Sequence, residues 1–252
     1  MIDLIRGQTV IVVGLARSGT AAAALLAEKG AARVIVTDSR PAADLQQQLT
    51  SLKQYGQVEA VTGENPPELA APGVSMVIKS PGVPPGLEIF KRSAELQIPV
   101  LSEVELAYAF MKAPLIGVTG TNGKTTTTAL LAEILAEARF NGVMAAGNIG
   151  VPLCEAVEQI SAGGVVAAEL SSFQLADILN FRPAVAVFLN FAEDHLDYHG
   201  SVENYYRAKA RLFENQRESD FAVLNASDPA VSRLHKEVRA GLLWFARGPV
   251  ER

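Results

Sequence analysis

The chain has 252 residues, 49% of them apolar and 19% charged, the composition of a folded protein with ample core and not of a disordered one. Its net charge of −5 argues against nucleic acid as a partner, because proteins that bind it carry a basic excess. The single cysteine, Cys154, excludes an internal disulfide framework and fits a reducing compartment.

The opening "MIDLIRGQTVIVVGLARSGTAAAALLA" has an early arginine, an apolar stretch and small residues, as a signal peptide does. Its apolar core "TVIVVGLA" is short and Arg17 follows at once, so a buried strand, a turn and a helix are expected instead. No run approaches the roughly 18 apolar residues of a membrane span. A soluble, cytoplasmic protein without membrane contact is the expectation.

"TVIVVG" reads as a strand, "GTAAAALLAEKG" as a helix ended by Gly30, and "RVIVTD" as a strand. "VSMVIKS" and "IPVLSE" are further strands with helical stretches between them. The strands are continuous apolar runs, as expected where both faces are covered. The βαβα order implies a parallel sheet with right-handed crossovers, a Rossmann-like domain. "VVGLARSG" begins like the dinucleotide fingerprint G-x-G-x-x-G: Gly14 and Gly19 fit, but Ala16 stands where the middle glycine belongs. Asp38 ends the second strand at the usual distance for a ribose contact, and Ser80 and Gly82 of "KSPGVPPG" offer donors at another strand end. The missing glycine leaves room for a mononucleotide diphosphate such as a nucleotide sugar; a purely structural domain also remains open.

Residues 112–114, "KAP", read as a linker, because Pro114 disfavours helix at Ala113. This divides the chain into domains 1–112 and 113–252. The second is again α/β, with strands at "LIGVTG", "GVMAAGN", "VVAAELS", "AVAVFLN" and "DFAVLN" and a helix at "VENYYRAKARLFEN". Between the first of these strands and the next lies "GVTGTNGKTTTTALLAEIL", from residue 117: strand, glycine-rich turn, lysine, helix start. In such a P-loop-type arrangement backbone N–H groups form an anion nest, the helix N-terminus adds its dipole, Lys124 reaches the β- and γ-phosphates and the Thr125 hydroxyl serves Mg²⁺. Against G-x-x-x-x-G-K-[ST] the match is imperfect, with Val118 in place of the first glycine. Four threonines, Thr125–Thr128, are poor helix formers. Thr125 and Thr126 lie in the first turn, where hydroxyls can serve metal and phosphate; for Thr127 and Thr128 packing is the expectation.

A nucleotide site needs a carboxylate near the metal. Glu169 ends the apolar run "VVAAE" and is expected at the strand end facing the cation, since an unpaired carboxylate is not tolerated inside. "NFAEDHLDYHG" holds His195 and His199 with Glu193, Asp194 and Asp197 after another strand, at the ligand-binding edge of a parallel sheet. A closed zinc site there is disfavoured by Gly200 and the lack of cysteines, though one histidine ligand is expected. Asn148 of "GNIGVP" could donate to a substrate oxygen. Lys209, read from pattern alone, is a solvated helical charge. The closing "LLWFARGPVER" does not read as a natural terminus, so a chain truncated on that side is expected.

Assembled, these residues resemble the Mur ligase family of peptidoglycan synthesis over essentially the whole chain. "TGTNGKTT" resembles its ATP loop, "ELSSFQL" (169–175) the metal-carboxylate motif of its D-glutamate-adding branch, and "NFAEDHLDYHGSVENYYRAKARLF" its histidine–lysine segment. "GLARSG" and "SPGVP" are similar to the same branch's uridine-diphosphate domain. The resemblance implies ATP-dependent joining of UDP-N-acetylmuramoyl-L-alanine to D-glutamate through an acyl phosphate, in a monomer. It implies ATP phosphates on Gly120, Thr121, Asn122, Gly123, Lys124, Thr125 and Thr126. One Mg²⁺ would lie near Thr125 and Glu169, and a second near His195 and Lys209, the lysine carried as a carbamate. Lys124, Glu169, His195 and Lys209 would be catalytic. Gly14, Leu15, Ala16, Asp38, Ser39, Ser80 and Gly82 would lie on the uridine-diphosphate side, and Asn148 on the muropeptide. The family's third domain has no counterpart, so this length alone is expected to be inactive. The alternatives are a non-catalytic nucleotide-sugar-binding fragment or a relative adding another amino acid. A GTPase-like switch lacks N-K-x-D, and Ala16 weakens a nicotinamide-dependent dehydrogenase.

Overall fold

The computed structural model describes residues 1–138 and 140–248, so the end of "LLWFARGPVER" lies outside the described residues. The chain forms two compact units, Met1–Phe110 and one beginning at Met111.

The first unit runs β1 (Thr9–Val13), α1 (Arg17–Glu28), β2 (Arg33–Asp38), α2 (Gln46–Leu52), β3 (Val58–Thr62), β4 (Val74–Lys79), α3 (Glu88–Glu95), β5 (Val100–Ser102) and α4 (Glu103–Phe110). Its sheet is parallel, in the order β3-β2-β1-β4-β5. Val10–Val13 of β1 are wholly buried because side chains alternate between two covered faces. Ile11 and Val13 join Ile35, Val77, Ile89 and Phe90 in one cluster, while α1 packs on β1 and β2. Each such side chain taken from water contributes roughly 1.5–3 kcal/mol. The edge strand β3 was not expected from the sequence. Its "VEAVT" is only half-buried to exposed and carries a glutamate, so it shows no buried run.

The second unit runs β6 (Leu115–Thr119), α5 (Lys124–Glu137), β7 (Val143–Gly147), α6 (Leu153–Gln159), β8 (Val165–Glu169), α7 (Ser172–Leu175), β9 (Val185–Phe188), α8 (Leu196–His199), α9 (Val202–Ala210), β10 (Phe221–Asn225), α10 (Pro229–Ser232) and β11 (Gly241–Phe245). All its strand pairings are parallel, in the order β11-β10-β9-β6-β8-β7. The helix expected over "VENYYRAKARLFEN" divides into α9 and a 3₁₀ turn, Arg211–Phe213. In both units the first strand lies inside the sheet, so successive crossovers leave it in opposite directions. Crevices open at such reversals, beyond the C-terminal strand ends.

Of the four threonines, Thr128 is the one buried residue of α5 and Thr127 is half-buried, in line with packing as their reason.

Candidate active site

In the first unit a cleft of about 350 Å³ opens at the reversal between β1 and β4, lined by Gly14, Ala16, Asp38, Ser39, Ser80 and Gly82 together with Arg40, Asn65, Val83, Pro84 and Leu87. Gly14 has φ +90°, and a Cβ there would stand 2.4 Å from Val83 Cγ2. At Gly19 a Cβ would stand 1.8 Å from the Gly14 carbonyl oxygen, so the turn and helix meet only without a side chain. Ala16 replaces the fingerprint's middle glycine without strain, because it sits at φ −82°, ψ −167° as the N-cap of α1. Leu15 is fully buried and does not line the cleft; its N–H donates to Asp38 Oδ2 at 2.6 Å. Asp38 is engaged further by Arg40, whose backbone N–H and Nε donate to Oδ1 at 2.9 Å and whose Nη2 donates to Oδ2 at 2.8 Å. Burial pushes the Asp38 carboxyl up, but the Arg40 and Leu15 hydrogen bonds and the Arg40 charge outweigh it and hold the group at about 2. Ser80 Oγ donates to the Gly14 carbonyl at 2.7 Å, tying β4's end to β1's. Arg40 escaped sequence reasoning; its one signal is its place two residues beyond a strand-ending aspartate.

In the second unit the loop Gly120–Gly123 joins β6 to α5. Gly120 passes close to the segment after β9, where a Cβ would meet Leu189 Cβ at 3.1 Å. Gly123 is the N-cap of α5 at φ +81°, and no side chain caps the helix. The first-turn amides have no partner within the helix, and the helix dipole concentrates positive charge there. Lys124 curls back over its own loop, its Nζ donating to the carbonyls of Gly120 at 3.0 Å and Thr121 at 2.9 Å.

Glu169 is the last residue of β8 and is 1% exposed. Its Oε2 accepts from the Thr125 hydroxyl and its Oε1 from Asn148 Nδ2, both at 2.8 Å. The carboxylate is thus buried and paired at the strand end, not solvated. Asn148 is anchored by its own N–H to the Glu169 carbonyl at 2.9 Å. Gly147, at φ +98°, permits that approach, since a Cβ there would lie 2.3 Å from the same carbonyl.

Lys209 corrects the sequence reading. It is 1% exposed, not solvated, and its Nζ donates to the Gly120 carbonyl at 2.8 Å and lies 4.6 Å from the Tyr205 ring centre. Burial first, then the neighbouring Lys124 charge, pushes its amine down to about 7, against a smaller upward pull from Asp194. The helical pattern shows no sign of this, because the burial comes from the way α9 packs on the loop and on α7.

His195 has φ +52° and caps α8, half-exposed, its Nε2 3.5 Å from Asp194 Oδ2. Its ring packs against Phe173 at 4.8 Å and Tyr205 at 5.8 Å between centroids. His199 turns to Ser172, with Nε2 3.0 Å from its hydroxyl oxygen. Phe173 and Tyr205, which bring these histidines together, were not singled out from sequence. Among the described residues no three His, Cys, Asp or Glu side chains form a metal cage. The Thr125 and Glu169 oxygens do suit a hard cation: Mg²⁺ takes one or two carboxylates and completes its shell from phosphates and water.

Residues 118–242 match the model of the Mur ligase middle domain. The chain is 44% identical over 241 residues to a UDP-N-acetylmuramoylalanine–D-glutamate ligase of Bacillus cereus strain G9842, covering 96% of this chain and 53% of that protein. The chain belongs to the Mur ligase family. Its counterpart of the same name from Geobacillus kaustophilus is 46% identical over 237 residues, covering 94% of this chain and 52% of that one. The chain therefore spans about half the length of the curated relatives it matches. The fold is that of solved family members. The UDP-N-acetylmuramate:L-alanyl-γ-D-glutamyl-meso-diaminopimelate ligase of Neisseria meningitidis gives a TM-score of 0.63 at 18% identity, covering 97% of this chain and 81% of that one. The UDP-N-acetylmuramate–alanine ligase of Thermotoga maritima gives 0.52 at 21%, covering 96% and 53%.

Proposed function

We propose that this chain carries the uridine-diphosphate and ATP sites of a ligase that joins D-glutamate to UDP-N-acetylmuramoyl-L-alanine. The observation that carries this reading is the meeting of the Gly120–Thr126 loop, the Lys124 ammonium and the Thr125–Glu169 pair at one sheet edge. The names of relatives at 44–46% identity supply the substrates.

In the proposed reaction the alanyl carboxylate attacks the γ-phosphorus of ATP, ADP departs, and an acyl phosphate forms. The D-glutamate amine then attacks the acyl carbon, phosphate leaves, and the amine gives up a proton as the amide forms. The first step brings two anions together. At 4 Å and an effective dielectric of 20, one pair of unit charges repels by about 4 kcal/mol. Lys124 and the first-turn amides of α5 offset that repulsion and orient the phosphates. Thr125 and Glu169 fit Mg²⁺, which when bound supplies neutralising charge to the phosphate oxygens. His195 and Lys209 are assigned to a second ion. An ammonium is a donor only, so Lys209 serves only as a carbamate, formed when its neutral amine adds to CO₂ and loses a proton. A buried amine held near neutrality suits that addition. The cleft at Gly14, Asp38 and Ser80 is assigned to the uridine diphosphate, and Asn148 to the muropeptide. The protein is assigned to the cytoplasm as a monomer.

The test is calorimetric titration of the chain with ADP and Mg²⁺, and separately with UDP-N-acetylmuramoyl-L-alanine. Binding of both is expected. A chain that takes up neither is not a carrier of these sites.

A further inference from the structure

The phosphate loop is held by more than its own glycines. After β9 the chain continues through Asn190, whose carbonyl accepts from the Thr121 N–H at 3.0 Å. Its side chain then meets the backbone of the next residue twice: Oδ1 accepts from the Asn122 N–H at 2.9 Å, and Nδ2 donates to the Asn122 carbonyl at 2.9 Å. A side-chain amide is here paired with the N–H and carbonyl of one residue, as a neighbouring strand would be. The Thr121 hydroxyl extends the pairing by accepting from the Ala192 N–H at 3.0 Å and donating to the Ala192 carbonyl at 3.1 Å. The segment is braced from behind, where Asn225 Nδ2 donates to the Leu189 carbonyl at 2.8 Å and Asp228 Oδ2 accepts from the Phe191 N–H at 2.7 Å.

We infer that Asn190 is a positioning residue, a latch that sets the conformation of the phosphate loop before any nucleotide arrives. It engages Thr121 and Asn122, the two residues with which the loop begins its turn. Their amides are thereby committed to the end of β9, which leaves the uncapped first turn of α5 to face the anion. A preformed cradle spends less binding free energy on ordering itself. Only a carboxamide both accepts and donates at this spacing: aspartate lacks the donor, and leucine, of similar shape, lacks both. The inference rests on the nucleotide reading of the loop, and two separate readouts keep the two apart.

The first readout is amide hydrogen exchange at Asn122 in the free chain; the second is affinity for ADP with Mg²⁺. In Asn190→Leu, Asn122 exchange is expected to speed up about tenfold and ADP to bind about tenfold more weakly, the scale of one lost hydrogen bond. Thr121, whose acceptor is the Asn190 backbone, should change less, and the thermal midpoint should stay close to that of the parent chain. Unchanged exchange at Asn122 overturns the latch whatever ADP does. Faster exchange with unaltered ADP affinity overturns its role in binding. A parent chain that binds no ADP overturns the nucleotide reading, and exchange alone then decides the latch. Should the leucine variant fail to fold, Asn190→Ser, which fits any space asparagine fits, is read in the same way.

Discussion

Lys124 and Lys209 bring their side-chain nitrogens to a single acceptor, the Gly120 carbonyl oxygen, at 3.0 and 2.8 Å. They come from the first turn of one helix and the last turn of another, 85 residues apart in sequence by their numbers. Two amines at one point repel if both are charged, and one of them is buried. An anion bound here would relieve that repulsion; without one, burial and the Lys124 charge hold the Lys209 amine close to neutrality.

Replacing Lys124 tests the anion directly. Lys124→Ala should weaken ADP binding by about tenfold to a hundredfold, the range of a charge-assisted hydrogen bond. Binding of UDP-N-acetylmuramoyl-L-alanine, assigned to the other unit, should be preserved. Calorimetry with both ligands checks this, and equal ADP affinity would remove the phosphate role.

Lys209 makes stability depend on alkali. Its amine is lowered to about 7 from 10.5, so between those values the unfolded chain binds more protons than the folded one. Stability should therefore rise as pH climbs from about 7 to 10, on the order of a few kcal/mol at about 1.4 kcal/mol per unit. Lys209→Met should flatten that rise and be the more stable form near pH 6, because Gly120 keeps Lys124 as a donor. Urea midpoints from pH 6 to 10 in carbonate-free buffer are the measurement; parallel curves would contradict the buried amine.

Asp38 acts in the opposite sense. Its carboxyl is held at about 2 against an ordinary 3.8, so its contribution is complete above about pH 4 and is lost as pH falls toward 2. Arg40→Leu should cost about 1 kcal/mol at pH 6, since Arg40 is partly exposed, and progressively less as the acid end is reached. Denaturation midpoints at pH 6, 4 and 3 would show whether the gap closes.

Gly147 and Gly63 share nearly the same positive φ, +98° and +94°, but only Gly147 has backbone in the way. Gly63→Ala should cost about 1 kcal/mol, the price of the dihedral alone, and Gly147→Ala at least about twice that. Equal melting temperatures for the two variants would mean that the Glu169 carbonyl yields easily.

Thr128 is fully buried on α5, and its hydroxyl has no hydrogen-bond partner among the described residues. Thr128→Val keeps the shape and removes the stranded group, so a gain of about 1 kcal/mol is expected. A loss in thermal unfolding would indicate a partner for the hydroxyl in solution.

The strands were legible because each is a short, continuous β-branched or apolar run. β3 was not, since an exposed edge leaves no such run to read. Glu169 was legible because a carboxylate at the end of a wholly buried strand has few acceptable surroundings. Lys124 and Thr125 stand out in the sequence because the glycine-rich loop pattern they belong to is made of neighbours in sequence. Lys209, Asn190 and Tyr205 depend instead on partners brought from other elements and loops: Lys209 on Gly120, Asn190 on Asn122, and Tyr205 on the rings of His195 and His199. Pattern carries the periodicity of one element, and these contacts are made between elements. The family resemblance named Lys209 where pattern alone failed.

The central place of β6 also bears on how the second unit is made. The strand that opens the unit is synthesised first, yet its partners β8 and β9, and the brace at Asn225 and Asp228, emerge 50 to more than 100 residues later. Contacts so distant in sequence form late and slowly. On the ribosome, then, the glycine turn precedes everything that shapes it, and competence for ligand is among the last properties the nascent unit acquires.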